Sequence, residues 1–205
     1  MRAFAAMLDP ERRWFAVFYK TTRRHRDILC ASNARSAIHD AHVGIMMTQK
    51  ITPFLWFEDN AEAAINFYTS VFKDSNIINM SRYPDDMPGM GGKVMSATFQ
   101  LNGQQFMALN GGPQFKFNEA VSFFVDCETQ DEVDYYWDKL TADGGAPGPC
   151  GWLKDKFGLS WQIVPRALGE MLGDPNPAKA QATMQAMLKM SKIDVVGLRS
   201  AYEQA

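Results

Sequence analysis

The segment GWLKDKFGLSWQIVP, residues 151–165, decides how the rest of the chain is read. Apolar residues alternate with others on both sides of Asp155-Lys156-Phe157-Gly158. That is the period-2 signature of two half-buried strands joined by a short turn. One polar side chain, Gln162, stands inside the apolar second strand. A buried amide needs hydrogen-bond partners, so Gln162 either ties strands together or faces a binding cavity.

Outward from this hairpin, the same order of signals occurs twice. ITPFLWF (51–57) reads as a strand, and Asp59-Asn60-Ala61-Glu62 reads as a capping box with Asp59 as N-cap and Glu62 at N3. The helix that follows carries Ala61, Ala64, Ile65, Tyr68, Val71 and Phe72 on one face. A strand is expected over 76–83, then a Pro/Gly/Met loop over 84–92. KVMSATFQL and QQFMALN follow, joined by Asn102-Gly103, a strong two-residue hairpin signal. Gly111-Gly112-Pro113 breaks the chain. The second half opens with the strand EAVSFFVDC (119–127) and a capping box at Thr129-Gln130-Asp131-Glu132. Its helix buries Val133, Tyr136, Trp137 and Leu140. A turn-rich stretch over 144–149 leaves room for a short third strand before the 151–165 hairpin.

Helical signals follow Pro165: a short helix over 166–172, a second starting from Asp174-Pro175-Asn176-Pro177, and a third over 194–203. Met184, Met187, Leu188 and Met190 form an apolar stripe on the second, read as the side packed on the body or on a dimer partner. The expected architecture is α+β. Two βαβββ modules, 51–110 and 118–165, pair within a domain over 47–165, and a helical tail occupies 166–205.

Residues 1–46 are of another character. RRWFAVFYKTTRRHRD (12–27) is basic and aromatic without a clear period, and residues 1–47 hold eight Lys/Arg against four Asp/Glu. This stretch reads as a poorly ordered or non-native extension ahead of a start at Met46 or Met47. The remainder holds 13 basic residues against 19 acidic ones, which argues against a nucleic-acid partner. No run approaches the roughly 18 apolar residues of a membrane span. Cys30, Cys127 and Cys150 lack C-x-x-C spacing, so reduced thiols and a cytoplasmic location are expected. All three histidines (His25, His39, His42) precede residue 47, and no imidazole is at hand in the body to activate Cys127 or Cys150. Asp155 is accounted for by its hairpin turn, and Asp85 and Asp86 by a solvated loop. The turn Glu58-Asp59-Asn60 has no glycine and makes no S-adenosylmethionine cradle.

The duplicated βαβββ unit resembles the vicinal oxygen chelate superfamily of glyoxalases, bleomycin-resistance proteins and dioxygenases. FLWFEDNAEAAINFY (54–68), FQLNGQQFMALNGGP (99–113), AVSFFVDCETQDEVDYYWDKL (120–140) and CGWLKDKFGLSWQIVP (150–165) narrow the resemblance to its PhnB-like, demethylubiquinone methyltransferase-like branch, over about residues 48–205. The resemblance implies two curved half-barrels around a cavity, a homodimer, and, in catalytic members, a divalent metal held by His and Glu. Asp155-x-x-Gly158-x-x-x-Gln162 is similar to the family's D-x-x-G-x-x-x-E ending, with Gln in place of the metal-binding Glu. The other three metal positions would fall at Thr52 or Pro53, at Ala108 or Asn110, and at Ala120 or Ser122. None supplies a His or a carboxylate. The expectation is therefore a small-molecule binding or sequestering protein with neither metal nor S-adenosylmethionine. Its ligand would meet Gln162, Ser122, Asn110, Phe54, Trp56 and Trp152. The alternatives are a metal-dependent lyase or isomerase of glyoxalase/dioxygenase type and, third, a methyltransferase.

Overall fold

The computed structural model describes residues 49–205. The expectations for residues 1–46, for Cys30 and for the three histidines lie outside the described residues. The first module runs β1 (Phe54–Phe57), α1 (Ala61–Val71), β2 (Asn76–Arg82), β3 (Val94–Leu101) and β4 (Gln104–Asn110). The second runs β5 (Ser122–Cys127), α2 (Gln130–Thr141), a 3-10 turn (Ala142–Gly144), β6 (Ala146–Pro147), β7 (Trp152–Lys154) and β8 (Ser160–Pro165). Each module forms one four-stranded sheet, in the orders β1-β4-β3-β2 and β5-β8-β7-β6. In both, the first strand lies parallel to the last and the other pairs are antiparallel. The duplicated βαβββ architecture is thus observed, with strands β1 and β5 starting three residues later than the sequence pattern suggests.

Local chemistry explains most of the boundaries. Asn102 (φ 46°) and Gly103 (φ 80°) occupy the left-handed conformations of a type I′ turn, whose twist matches that of the flanking strands. The second capping box forms: Thr129 Oγ1 accepts from Glu132 N at 3.2 Å, and Glu132 Oε2 accepts from Glu128 N at 2.8 Å. The first does not form. Asn60, not Asp59, is the N-cap and makes no side-chain cap bond. Lys93 draws Asp59 into an ion pair at 3.0 Å, and Arg82 draws Glu62 into one at 2.6 Å. The orphan donor Ala61 N is capped instead from β4, by Asn110 Oδ1 at 2.8 Å.

The two helices bury the faces read from the sequence, Ala61, Ala64, Ile65, Tyr68 and Val71 on α1 and Val133, Tyr136, Trp137 and Leu140 on α2. They share one core with the helix-facing sides of both sheets. Phe72, at the end of α1, joins the modules. Its ring stacks between Tyr136 (centroids 5.2 Å, 22°) and Trp161 (5.1 Å, 28°). Asp155 makes the second joint, so the hairpin turn accounts for only half of its role. Oδ1 accepts from the turn amides of Phe157 (2.8 Å) and Leu159 (3.0 Å). Oδ2 accepts from Trp161 Nε1 (2.9 Å) and from Tyr68 OH of the first module (2.8 Å). Burial raises the Asp155 pKa above the usual carboxylate range, opposed by these donors, and burial raises the Tyr68 hydroxyl well above its own.

Three further helices, α3 (Arg166–Leu172), α4 (Pro177–Met187) and α5 (Val195–Glu203), build a second core. Leu168, Met171, Met187, Ile193 and Leu198 bury Val164 of β8 and Cys150 beneath them, with Met184, Leu188 and Met190 packed alongside. The methionine stripe therefore lies against the chain's own second module. Gln130 fastens this layer, donating to Ile193 O at 3.0 Å and accepting from Val195 N at 2.8 Å. Gly151 lets it approach: at φ +84° a Cβ there would sit 2.8 Å from Ile163 O and 3.2 Å from Ile193 Cγ1. No helix of the described residues is long and apolar enough to cross a membrane.

Candidate functional site

Each sheet carries its helix on one face; on the other, called the open face, the described helices reach only Val164 of the second sheet, which α3–α5 cover. Alternation along the strands assigns side chains to the two faces. On the second sheet, the pairings Ser122↔Ser160↔Lys154 and Phe124↔Gln162↔Trp152 set out two adjacent rows on the open face. Trp161 and Ile163, the intervening residues of β8, face the core. The polar residue singled out in the sequence thus sits in the middle of an aromatic–amide–aromatic row.

Gln162 is only 7% exposed and donates from Nε2 to Ser122 Oγ at 2.8 Å. Its Oε1 makes no hydrogen bond with a described residue. Ser160, 1% exposed, has its hydroxyl buried with no partner among the described residues. Leaving a buried hydroxyl unpaired costs about 1–3 kcal/mol. Glu119 and Lys154 form an ion pair that spans β8 beside Ser160. The face therefore offers one acceptor, Gln162 Oε1, and apolar ring surface on either side. Ser160 escaped the sequence reading although it shares the period-2 face with Gln162, because an isolated serine at a strand start reads as turn chemistry.

Gln162, Ser122 and Trp152 come together on this face. Phe54 and Trp56 lie on the open face of the other sheet, in rows with Met107 and Thr98 and with Leu109 and Ser96. Phe54 is half exposed. Trp56 is committed locally: Nε1 donates to Gly112 O at 2.9 Å, Phe115 meets its ring edge-on at 5.0 Å, and a Cβ on Gly111 would stand 2.2 Å from its ring. Gly111-Gly112 is thus a linker that also makes room for an indole. Asn110 is on the opposite, helix-facing side, with Oδ1 accepting from Ala61 N and Nδ2 donating to Val94 O at 2.8 Å. Ala108 shares that side. The open-face residues of β4 are Met107 and Leu109, which corrects the expected Ala108 or Asn110 by one residue, the step that exchanges the faces of a strand. Thr52, Pro53 and Ala120 precede their strands.

The four strands that would supply metal ligands present Phe54 and Trp56, Met107 and Leu109, Ser122 and Phe124, and Ser160 and Gln162. This set contains no carboxylate, imidazole or thiolate, and the nearby Glu119 carboxylate is taken by Lys154. It does not fit a divalent cation, which needs anionic or imidazole donors. Among the described residues no three His, Cys, Asp or Glu side chains gather into a metal-binding group. Cys127 is buried and its thiol is pushed up to about 12 by burial and by the charges of Glu132 and Asp126, the reverse of a reactive thiolate.

A separate cleft of about 720 Å³ lies between the modules. None of the six residues picked from the sequence lines it.

The family model for 3-demethylubiquinone-9 3-methyltransferase matches residues 49–164, which takes in both modules and stops at the end of β8. The chain belongs to this family. Within it, the chain is PhnB-like. The PhnB protein of Bacillus cereus, described as a 3-demethylubiquinone-9 3-methyltransferase, is 45% identical, with 57% of this chain and 99% of that one covered and a TM-score of 0.53. A Staphylococcus aureus protein is 37% identical over 56% of this chain and 93% of that one, at a TM-score of 0.27. FosX, the fosfomycin resistance protein of Listeria monocytogenes solved with Mn(II) and sulfate, is 18% identical over 57% of this chain and 90% of that one, at a TM-score of 0.40. No curated protein matches the chain.

Proposed function

We propose that this PhnB-like protein binds a small aromatic or amphipathic molecule on the open face of its second sheet without a metal ion, as a binding or sequestering protein. The observation that carries this reading is the row Phe124–Gln162–Trp152, in which Gln162 Oε1 makes no hydrogen bond with a described residue. Two rings supply apolar contact, while Gln162 Oε1 orients a polar group as an acceptor. Phe54 and Trp56 would line the facing wall. Phe54 and Phe124 are 49% and 44% exposed on the two open faces, and a homodimer that brings such faces together would cover both. Two buried free cysteines accord with a cytoplasmic location.

Native mass spectrometry and metal analysis of protein purified from its own cells test this reading. The expected result is a dimer carrying an organic ligand that survives chelation. A stoichiometric, tightly bound transition metal would overturn it in favour of a metal-dependent lyase or isomerase. Methyl transfer, the reaction in the family's description, has a test of its own. The strand-to-helix turn Glu58-Asp59-Asn60 offers no glycine cradle and the sheets are not doubly wound, so calorimetry is expected to show no S-adenosylmethionine binding.

A further inference from the structure

The intermodular cleft meets the Gln162 face at Phe124 and otherwise has its own lining. Its volume of about 720 Å³ is that of a small-molecule site. Its wall is aromatic, built from Phe72 and Phe106 of the first module and Phe123, Tyr136 and Trp161 of the second. Strand β5 runs along it from Phe123 to Asp126. β5 is an edge strand paired only with β8, so its outer backbone groups have no ladder partner and are open to a ligand.

Tyr136 points to an occupant. The residue is only 8% exposed, it lines the cleft, and its hydroxyl makes no hydrogen bond with any described residue. Its ring is held flat against Phe72 and edge-on to Tyr135 at 5.2 Å, so the hydroxyl is presented rather than mobile. Burial and the charge of Glu132 raise its pKa, which keeps the phenol neutral at physiological pH. The rim decides the charge of the occupant. Four carboxylates (Asp74, Asp126, Glu128, Glu132) stand against two cations, Lys73 and Arg166. Arg166 is already engaged, donating to Asp126 at 2.7 Å and to Glu128 at 2.5 Å. The surplus is negative.

We propose that this cleft is a second binding site, for a small organic cation with a flat aromatic body and a protonated amine. The ring lies along the aromatic wall, the ammonium donates to the Tyr136 hydroxyl oxygen, and Asp74 and Glu132 supply the field. The site stands whether or not the Gln162 face binds a ligand.

The test is a titration of the full chain with 1-naphthylmethylammonium, 1-naphthalenemethanol and 1-naphthoate, followed by amide NMR shifts and tryptophan fluorescence. The ammonium is expected to bind at least about tenfold more tightly than the naphthoate at low salt, a margin that narrows as salt rises. Its shifts should centre on β5 and α2. Tyr136→Phe, which keeps the ring, should weaken it roughly fivefold, the worth of one hydrogen bond. The double change Asp74→Asn with Glu132→Gln should bring the three affinities together, and Gln162→Ala should alter none of them. Asn accepts the positive φ of 47° at position 74, so the rim variant decides the charge preference even if the Tyr136 variant fails to fold. Equal binding of naphthoate, shifts centred on β7 and β8, undiminished binding to a folded Tyr136→Phe, or no shift with the ammonium would each overturn the proposal.

Discussion

The two modules share one topology but spend their open faces differently. In the first, the pairs formed where β1 meets β4 are Phe54–Met107 and Trp56–Leu109. In the second, the corresponding pairs of β5 and β8 are Ser122–Ser160 and Phe124–Gln162. An apolar pair in one half is a hydroxyl pair in the other, and a leucine is replaced by an amide. The first module instead places its buried amide, Asn110, on the helix side, where it caps α1; the second caps its helix locally with Thr129 and Glu132. Duplication kept the backbone and moved the polar group from one face to the other. The second module also carries α3–α5 against Val164, next along the open face from Gln162.

Breaking the joint between the halves should have the largest effect. Phe72→Ala removes a ring stacked on both Tyr136 and Trp161, and a destabilisation of about 3–5 kcal/mol is expected. Urea unfolding would show it, with both modules unfolding together because they share one core. The next test separates the two amides. Asn110→Ala leaves Ala61 N and Val94 O unpaired in a buried place and should cost about 2 kcal/mol, against about 1 kcal/mol for Thr129→Ala at the exposed cap. Equal costs would mean that the long-range cap adds nothing beyond a local one.

Converting one face into the other sharpens the comparison further. Gln162→Leu gives the second sheet the side chain of the first. It should lower affinity for the co-purified ligand about tenfold, roughly 1.4 kcal/mol, with little change in unfolding midpoint. Leu109→Gln should leave affinity unchanged, and a matching loss there would assign recognition to both faces. The gentlest test changes only pH. The folded-state pKa of Asp155 is raised above its ordinary 3.8. The folded protein therefore holds that proton more strongly than the unfolded chain. Stability from this group is gained as pH falls through the folded pKa towards 3.8 and is lost above it. The stability gap between the wild type and Asp155→Asn, which does not titrate, should therefore widen on acidification. A gap that narrows would show that the four hydrogen bonds outweigh desolvation.

Most of the fold was legible because periodicity is a local signal. The faces of α1 and α2, the Asn102-Gly103 turn and the 151–165 hairpin follow from spacing and turn chemistry alone. The first capping box failed for a reason no local pattern holds: Lys93, just before β3, and Arg82 of β2 claim Asp59 and Glu62. Gln162, Ser122 and Trp152 were found together because a polar residue in an apolar strand is conspicuous. Asn110 is equally conspicuous, yet one step of register placed it on the other face. The cleft was not legible, since its aromatic wall joins residues from both modules and its polar handle, Tyr136, reads in sequence as helix core.

The sequence by itself determined the duplication, the two helix faces and the neutral character of the residues at the expected metal positions, because these rest on residue type and on spacing within one element. Only the tertiary structure decided which buried amide is a cap and which lies on the sheet face away from the helix, that Asp155 binds the modules together, and that a cleft with an acidic rim opens between them. Hydrogen-bond partners and charge surplus depend on groups dozens of residues apart, as the Tyr68–Asp155 bond across 87 residues shows, and no local pattern encodes that separation.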